Sequence, residues 1–303
     1  AVSDNLDECL EVLVKGFDRV IAAIPVPPVA ISFAFPGPAD YENGIIGDLP
    51  NFPSFRGGVA LGPFLKHKYG IPVFIENDGN LFAYGEALSG ALPMINRELS
   101  LAGCSREYKN LIGITLGTGF GAGVVINKVL LTGDNGCGGD IWLMRNKKYP
   151  DMLAEESVSI RAVRRVYSDL SGQSSASLSP KDIYDIAEGI KEGDSHAAIA
   201  SFNELGIMAG AAIASVLNVV DGLVVIGGGV AGASKYILPA LITELRAQLT
   251  TFSGNKFPCV SMQVYNGEDE SERARFLSLS DSQVVIPGTH LTTTYHQLKD
   301  RKS

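Results

Sequence analysis

Residues 111–116 form an apolar run of strand length that opens directly onto Gly117-Thr118-Gly119-Phe120-Gly121-Ala122-Gly123, four glycines in seven residues. The stretches 124–127 and 129–131 follow and are again strand-like, with no helical pattern between them. The glycines are therefore expected in a hairpin between two strands. Glycine at these positions would let the backbone take positive φ and bring its N–H groups close to an anion. A tight hairpin needs only one or two glycines for its turn, so four of them with a Thr hydroxyl favour a phosphate cradle. The stretch is not a Walker A loop, which requires Gly-Lys-Ser/Thr and a following helix.

The rest of the chain alternates strand and helix. Leu6, Leu10, Leu13, Phe17 and Val20 or Ile21 recur at helical steps. Pro27 and Pro28 then lead into an apolar strand at 29–35 that ends on Pro36-Gly37-Pro38. A helix at 61–69, a buried strand at 72–75 and a helix at 80–89 give an α/β pattern with parallel pairing. Residues 91–110 are polar and read as an irregular surface excursion. Helices are expected at 157–170, 180–192, 195–219 and from 236 to about 252, with one strand at 223–226 and a Ser- and Gly-rich loop at 170–180.

Composition narrows the partners. The chain has 303 residues, enough for two domains, with 46% hydrophobic and 19% charged residues. Its net charge of −8 argues against a nucleic-acid surface, which needs clustered Lys and Arg. The short basic clusters, 145–148 and Arg161, Arg164 and Arg165, are read as solvated faces. No apolar run approaches the roughly 18 residues of a membrane helix, so no membrane partner is expected. Cys9, Cys104, Cys137 and Cys259 are scattered without a CxxC pair, which fits a reducing cytoplasm rather than a disulfide scaffold. His67, His196, His290 and His296 show no metal-like spacing and receive no role.

Two further segments carry chemistry. The strand at 223–226 runs into Gly227-Gly228-Gly229-Val230-Ala231-Gly232 and a helix. This formally satisfies a dinucleotide fingerprint, but Glu244 falls too early for the acidic residue that usually follows. The preferred reading is a second backbone platform against which an adenosine lies. Ile75-Glu76-Asn77-Asp78 stands at the carboxyl end of a buried strand, where open α/β sheets place their ligands. Asp78 can accept the proton of an alcohol during phosphoryl transfer, or it can cap the helix that follows. Asn77, with a donor and an acceptor, suits sugar hydroxyls. Glu86 supports this site or lies on the plain surface, and Phe120 and Trp142 edge a cleft or pack in the core.

Pro36-Gly37, Asn51, Glu76-Asn77-Asp78-Gly79-Asn80 with Gly85-Glu86, the glycine hairpin, Gly138-Gly139-Asp140 and the triple glycine occur in an order that resembles the ROK family of bacterial sugar kinases and related repressors. The resemblance runs over about residues 5–245. It implies an actin-like (ribonuclease H-like) fold of two lobes with the active site between them, a smaller lobe at 1–76 and a larger one at 77–303. It also implies a hexokinase of glucokinase type, cytoplasmic, that uses ATP and Mg²⁺ to phosphorylate a hexose, with glucose at its 6-hydroxyl as the expected acceptor. Asp78 takes the family's base position and Asn77 its sugar-binding asparagine, with Asn51, Asp140 and Glu155 as further sugar contacts. Gly117, Thr118, Gly119 and Gly121 match the phosphate loop, and Gly227, Gly228 and Gly229 the adenosine side. The family's sugar- and zinc-binding histidine is replaced by Leu143 and its cysteine-rich loop is missing, so no structural zinc is expected. The family's first phosphate hairpin is expected upstream of residue 5, and the stretch after Pro258 fits the family poorly. The alternatives are an N-acetylhexosamine, mannose or fructose kinase of the same family, and a non-catalytic sugar-sensing regulator. A homodimer or larger homo-oligomer is implied by resemblance alone.

Overall fold

Asn5 starts the first helix by accepting a hydrogen bond from Glu8 N at 3.3 Å, which satisfies one of the unpaired donors at a helix N-terminus. The computed structural model describes residues 4–48, 53–278 and 281–296. The chain packs as two units, one of Ala1–Leu81 with Thr132–Cys137, the other of Phe82–Leu131 with Gly138–Ser303. The division falls inside a helix.

In the first unit, helix α1 (Leu6–Ala23) precedes β1 (Ile31–Ala34), the short antiparallel pair β2 (Ala39–Asp40) and β3 (Ile45–Ile46), α2 (Leu61–Tyr69) and β4 (Val73–Glu76). Strand β1 pairs in parallel with β4, from Ile31 opposite Val73 to Ala34 opposite Glu76. Phe35 N donating to Glu76 O at 2.9 Å extends the ladder to the end of β4. The core is Ile46, Phe55, Leu61, Leu65 and Ile75, against which the apolar stripe of α1 packs. Phe17 meets Phe33 edge-on, with ring centroids 5.2 Å apart. The residues after β4 start α3 (Asp78–Leu88).

The second unit continues with α4 (Ala91–Leu101), β5 (Leu111–Leu116), β6 (Phe120–Ile126) and β7 (Val129–Leu130). The helices α5 (Ile160–Ser171), α6 (Pro180–Ala187) and α7 (Ser195–Val220) follow, then β8 (Leu223–Gly227) and α8 (Ser234–Leu245). The four-stranded sheet runs β7-β6-β5-β8, antiparallel except for the parallel pair β5 and β8. Its apolar face and helices α5 to α8 enclose a core that includes Ile112, Ile114, Phe120, Tyr167, Phe202 and Ile213. Each such side chain, fully buried, stabilises by roughly 1.5–3 kcal/mol. The α7–α8 contact is close because Gly206 and Gly210 carry no side chain. A Cβ on either would stand 2.4 Å from Ile237 O or 2.8 Å from Leu241 O.

Five expectations change. Residues 91–101 are not an irregular excursion but helix α4, held by buried Leu92 and Leu99, with Asn96, Arg97, Glu98 and Ser100 as its polar positions. The helix expected to reach 252 stops at Leu245, because β9 (Gln248–Thr250) turns back onto β10 (Lys256–Pro258). Helix α5 starts at Ile160 because Ser159 caps it, accepting from Ala162 N at 3.3 Å, and α6 ends at Ala187, short of 192. Helix α7, 26 residues long, is long and apolar enough by composition to cross a membrane, yet much of it is core, with 14 of its residues buried. The tail adds α9 (Glu270–Leu277) and the antiparallel pair β11 (Asp281–Val285) and β12 (Thr292–His296).

Candidate active site

The corner between β4 and α3 is built by side chains clasping backbone. Glu76 Oε1 accepts from Asn77 N at 2.8 Å and from Asn80 Nδ2 at 3.1 Å, which ties the end of the strand to the first turn of the helix. Asn77 Oδ1 accepts from Gly79 N at 2.8 Å and from Asn80 N at 3.3 Å. Asn77 is thus the residue that caps α3, and Asp78 is the first helical residue rather than the cap. Asp78 is exposed; its Oδ1 accepts only from the adjacent Gly79 N, at 3.0 Å, and its Oδ2 makes no hydrogen bond among the described residues. The cap also consumes Asn77's acceptor and leaves its NH₂ for a ligand, a narrower offer than the donor and acceptor read from sequence. Glu86 neither supports this corner nor floats on the surface, since its Oε2 accepts from Ala91 N at 2.7 Å and starts α4.

In the second unit, Gly117, Thr118 and Gly119 form the loop between β5 and β6, and Gly117 N donates to Gly119 O at 3.1 Å. Contrary to expectation, none of Gly117, Gly119, Gly121 and Gly123 has a positive φ. At Gly119 the requirement is space. A Cβ there would lie 2.5 Å from Glu155 Oε2, and that oxygen accepts from Phe120 N at 3.0 Å. Glu155 Oε1 accepts from Arg161 Nη2 at 3.1 Å, and Ile160 N donates to Gly117 O at 2.9 Å. The carboxylate expected to meet sugar is therefore docked on the glycine hairpin. Gly117 itself borders open space, with nothing within 4 Å of where a Cβ would stand, although its N–H is already given to Gly119 O.

The segment that brings Glu155 there is knotted by Asn146, which is 2% exposed. Its Nδ2 donates to Leu153 O at 3.1 Å and Ser157 Oγ at 2.8 Å, and its Oδ1 accepts from Lys148 N and Tyr149 N, both at 3.0 Å. Sequence reading misses this residue because it sits inside a basic run, and misses Arg161 because a charged helix face looks solvated. Some members of the basic clusters, about half exposed, are also ion-paired, Lys147 to Glu244, Lys148 to Glu204 and Arg161 to Glu155. Asp140 is exposed at the start of a short turn whose preceding Gly139 lies against β6, with Ala122 O 3.2 Å from where its Cβ would stand. Phe120 is core and Trp142 packs against the same core. Asn51 lies outside the described residues.

The triple glycine divides its work. Gly228 has φ +92°, and a Cβ there would meet Leu116 O at 2.4 Å, so only glycine lets the turn press on the end of β5. A Cβ on Gly227 would strike the Phe82 ring at 2.7 Å, whereas Gly229 borders open space. A small cavity of about 30 Å³ beside this turn is lined by Leu116, Ile226, Ala231, Ser234 and Glu268 among others. Among the described residues, no three His, Cys, Asp or Glu side chains gather as a metal site would require.

Residues 2–271 match the ROK family. The chain belongs to that family. Its mixed α/β architecture is the actin-like fold of ROK sugar kinases. This ROK chain is similar to the crystal structure of a glucokinase from Parabacteroides distasonis, with 58% identity and a TM-score of 0.87 over 99% of this chain and 82% of that one. It is 29% identical to a glucokinase of Thermotoga maritima over 70% of its own length and 67% of the relative's. It is also 24% identical to the xylose repressor of Bacillus subtilis, over 82% of its length but only 61% of the repressor's.

Proposed function

We propose that this ROK protein is an ATP-dependent hexokinase of glucokinase type, acting on glucose at its 6-hydroxyl with Asp78 as general base. The observation that carries the reading is the division of labour at the β4–α3 corner. Asn77 caps the helix, and the Asp78 carboxylate keeps an oxygen without an internal partner. A carboxylate is an acceptor only, and an acceptor is what a hydroxyl needs as its oxygen attacks phosphorus. Likeness to the Parabacteroides glucokinase supports the class.

Asn77's NH₂ would donate to a neighbouring sugar hydroxyl, and Glu155, Asp140 and Asn51 would accept from others. The open backbone at Gly117, with Thr118, Gly119 and Gly121, fits the phosphates of ATP, and the turn at Gly227, Gly228 and Gly229 fits its adenosine. ATP with Mg²⁺ supplies the phosphoryl group and neutralises its charge; the protein aligns the acceptor and takes its proton. The scattered cysteines, with no CxxC pair among them, fit work in a reducing cytoplasm.

The test is ADP release by the protein with a panel of hexoses. The expected outcome is turnover that requires both Mg²⁺ and a hexose, is fastest with glucose, and collapses in Asp78→Asn. Sugar binding without ADP release from any hexose would overturn the kinase reading in favour of a regulator, the class of the Bacillus xylose repressor.

A further inference from the structure

Glu155 has two anchors, and they belong to different parts of the proposed chemistry. Through Oε2 it holds Phe120 N, the first residue after the glycine loop, at 3.0 Å. Through Oε1 it is held by Arg161, whose Nη2 also reaches Glu156 Oε1 at 3.5 Å. The carboxylate is only partly exposed, at 23%, whereas the Arg161 side chain is 55% exposed. The place it occupies exists only because residue 119 has no Cβ.

We infer that Arg161 is a positioning residue that couples sugar binding to nucleotide binding by holding Glu155 on the glycine hairpin. The inference rests on the reading above, in which Glu155 accepts from a sugar hydroxyl and the hairpin receives the phosphates. A carboxylate has about four acceptor positions. Arg161 and Phe120 N occupy two, so a sugar hydroxyl can take a third without displacing either. The sugar then stiffens the carboxylate, the carboxylate stiffens the N–H at the head of β6, and the loop before it is ordered when the phosphates arrive. Removing Arg161 leaves Glu155 with a single anchor, and a sugar hydroxyl then draws it off the hairpin instead of fastening it there. Lysine at 161 keeps a donor of the same charge, though without the guanidinium's fork.

The experiment measures the dissociation constant of AMPPNP with Mg²⁺, by calorimetry, with and without saturating glucose, in the unaltered protein, Arg161→Ala and Arg161→Lys. Glucose is expected to tighten AMPPNP by about tenfold in the unaltered protein, within the usual range for coupled sites. The ratio should fall below about twofold in Arg161→Ala and recover in part in Arg161→Lys, with AMPPNP affinity in the absence of glucose little changed. In turnover, Arg161→Ala should raise KM for ATP at saturating glucose with a smaller effect on kcat. An Arg161→Ala ratio equal to that of the unaltered protein overturns the inference alone, as does a ratio of one in the unaltered protein when both ligands bind. Failure of the unaltered protein to bind either ligand overturns the functional reading and this inference with it.

Discussion

Replacing Asp78 by asparagine removes a proton acceptor while keeping size, shape and the first turn of α3. Since Asn77 makes the cap, the melting temperature should hardly move, whereas kcat should fall by about 10²–10⁴, the usual worth of general-base catalysis. Circular dichroism melts and the ADP assay on one sample separate the two effects. Asn77→Ala should do both kinds of damage, losing about 1 kcal/mol of stability with the cap as well as a sugar contact. Gly119→Ala tests the glycine hairpin. Its methyl would stand 2.5 Å from Glu155 Oε2, so the carboxylate must leave Phe120 N. The expected result is a folded protein with impaired kinetics for sugar and ATP together, read as a joint rise in both KM values. At Gly228 the same substitution meets backbone at 2.4 Å and a φ of +92°, so there the loss should appear in stability, by about 1–3 kcal/mol from the strained φ alone.

Helices α1 and α2 are tied by one hydroxyl. Tyr69 donates to Asp18 Oδ1 at 2.8 Å and to Val14 O at 3.3 Å. Burial, then the bond to Asp18 and its charge, push the phenol up from 10.0 to about 12. A raised folded-state pKa means that this stabilisation is complete below the unfolded value and is lost as the pH climbs through the folded one. Stability should therefore decline between about pH 10 and 12, and Tyr69→Phe should flatten that part of the denaturation profile. At this scale the sequence is most readable where period and punctuation agree. The strand at β4 and helix α7 stand within a residue or two of expectation, and β5 and β6 form the expected hairpin, although β6 starts at Phe120 rather than 124 and takes Gly121 and Gly123 into the strand. It is least readable where tertiary contacts decide. Helix α4 carries a proline at its third position and is started by a carboxylate five residues back, at Glu86. The end of α8 is set by a strand pair formed beyond it. For the site, the residue types and their order are legible, but the bonds are not. That Glu155 lies on Gly119, or that Asn146 knots the segment between them, depends on a chain reversal that no local pattern encodes.

Taken whole, the molecule should report its ligands through its stability. A ligand at 100 times its dissociation constant raises folding free energy by about 2.7 kcal/mol, so AMPPNP with Mg²⁺ should shift the thermal transition upward. Glucose should add to that shift by more than its separate effect if the two sites are coupled, and by no more than that if they are not. The cap at α3 has a wider consequence. Because Asn77 secures the helix, the Asp78 carboxylate is a detachable part that the fold does not need. If Asp78 is the base proposed above, a lineage could lose it in one substitution without passing through an unstable ancestor. Among relatives of this chain that include a glucokinase and a xylose repressor, on that reading, the route from transforming a sugar to merely sensing it need not cross any barrier of folding.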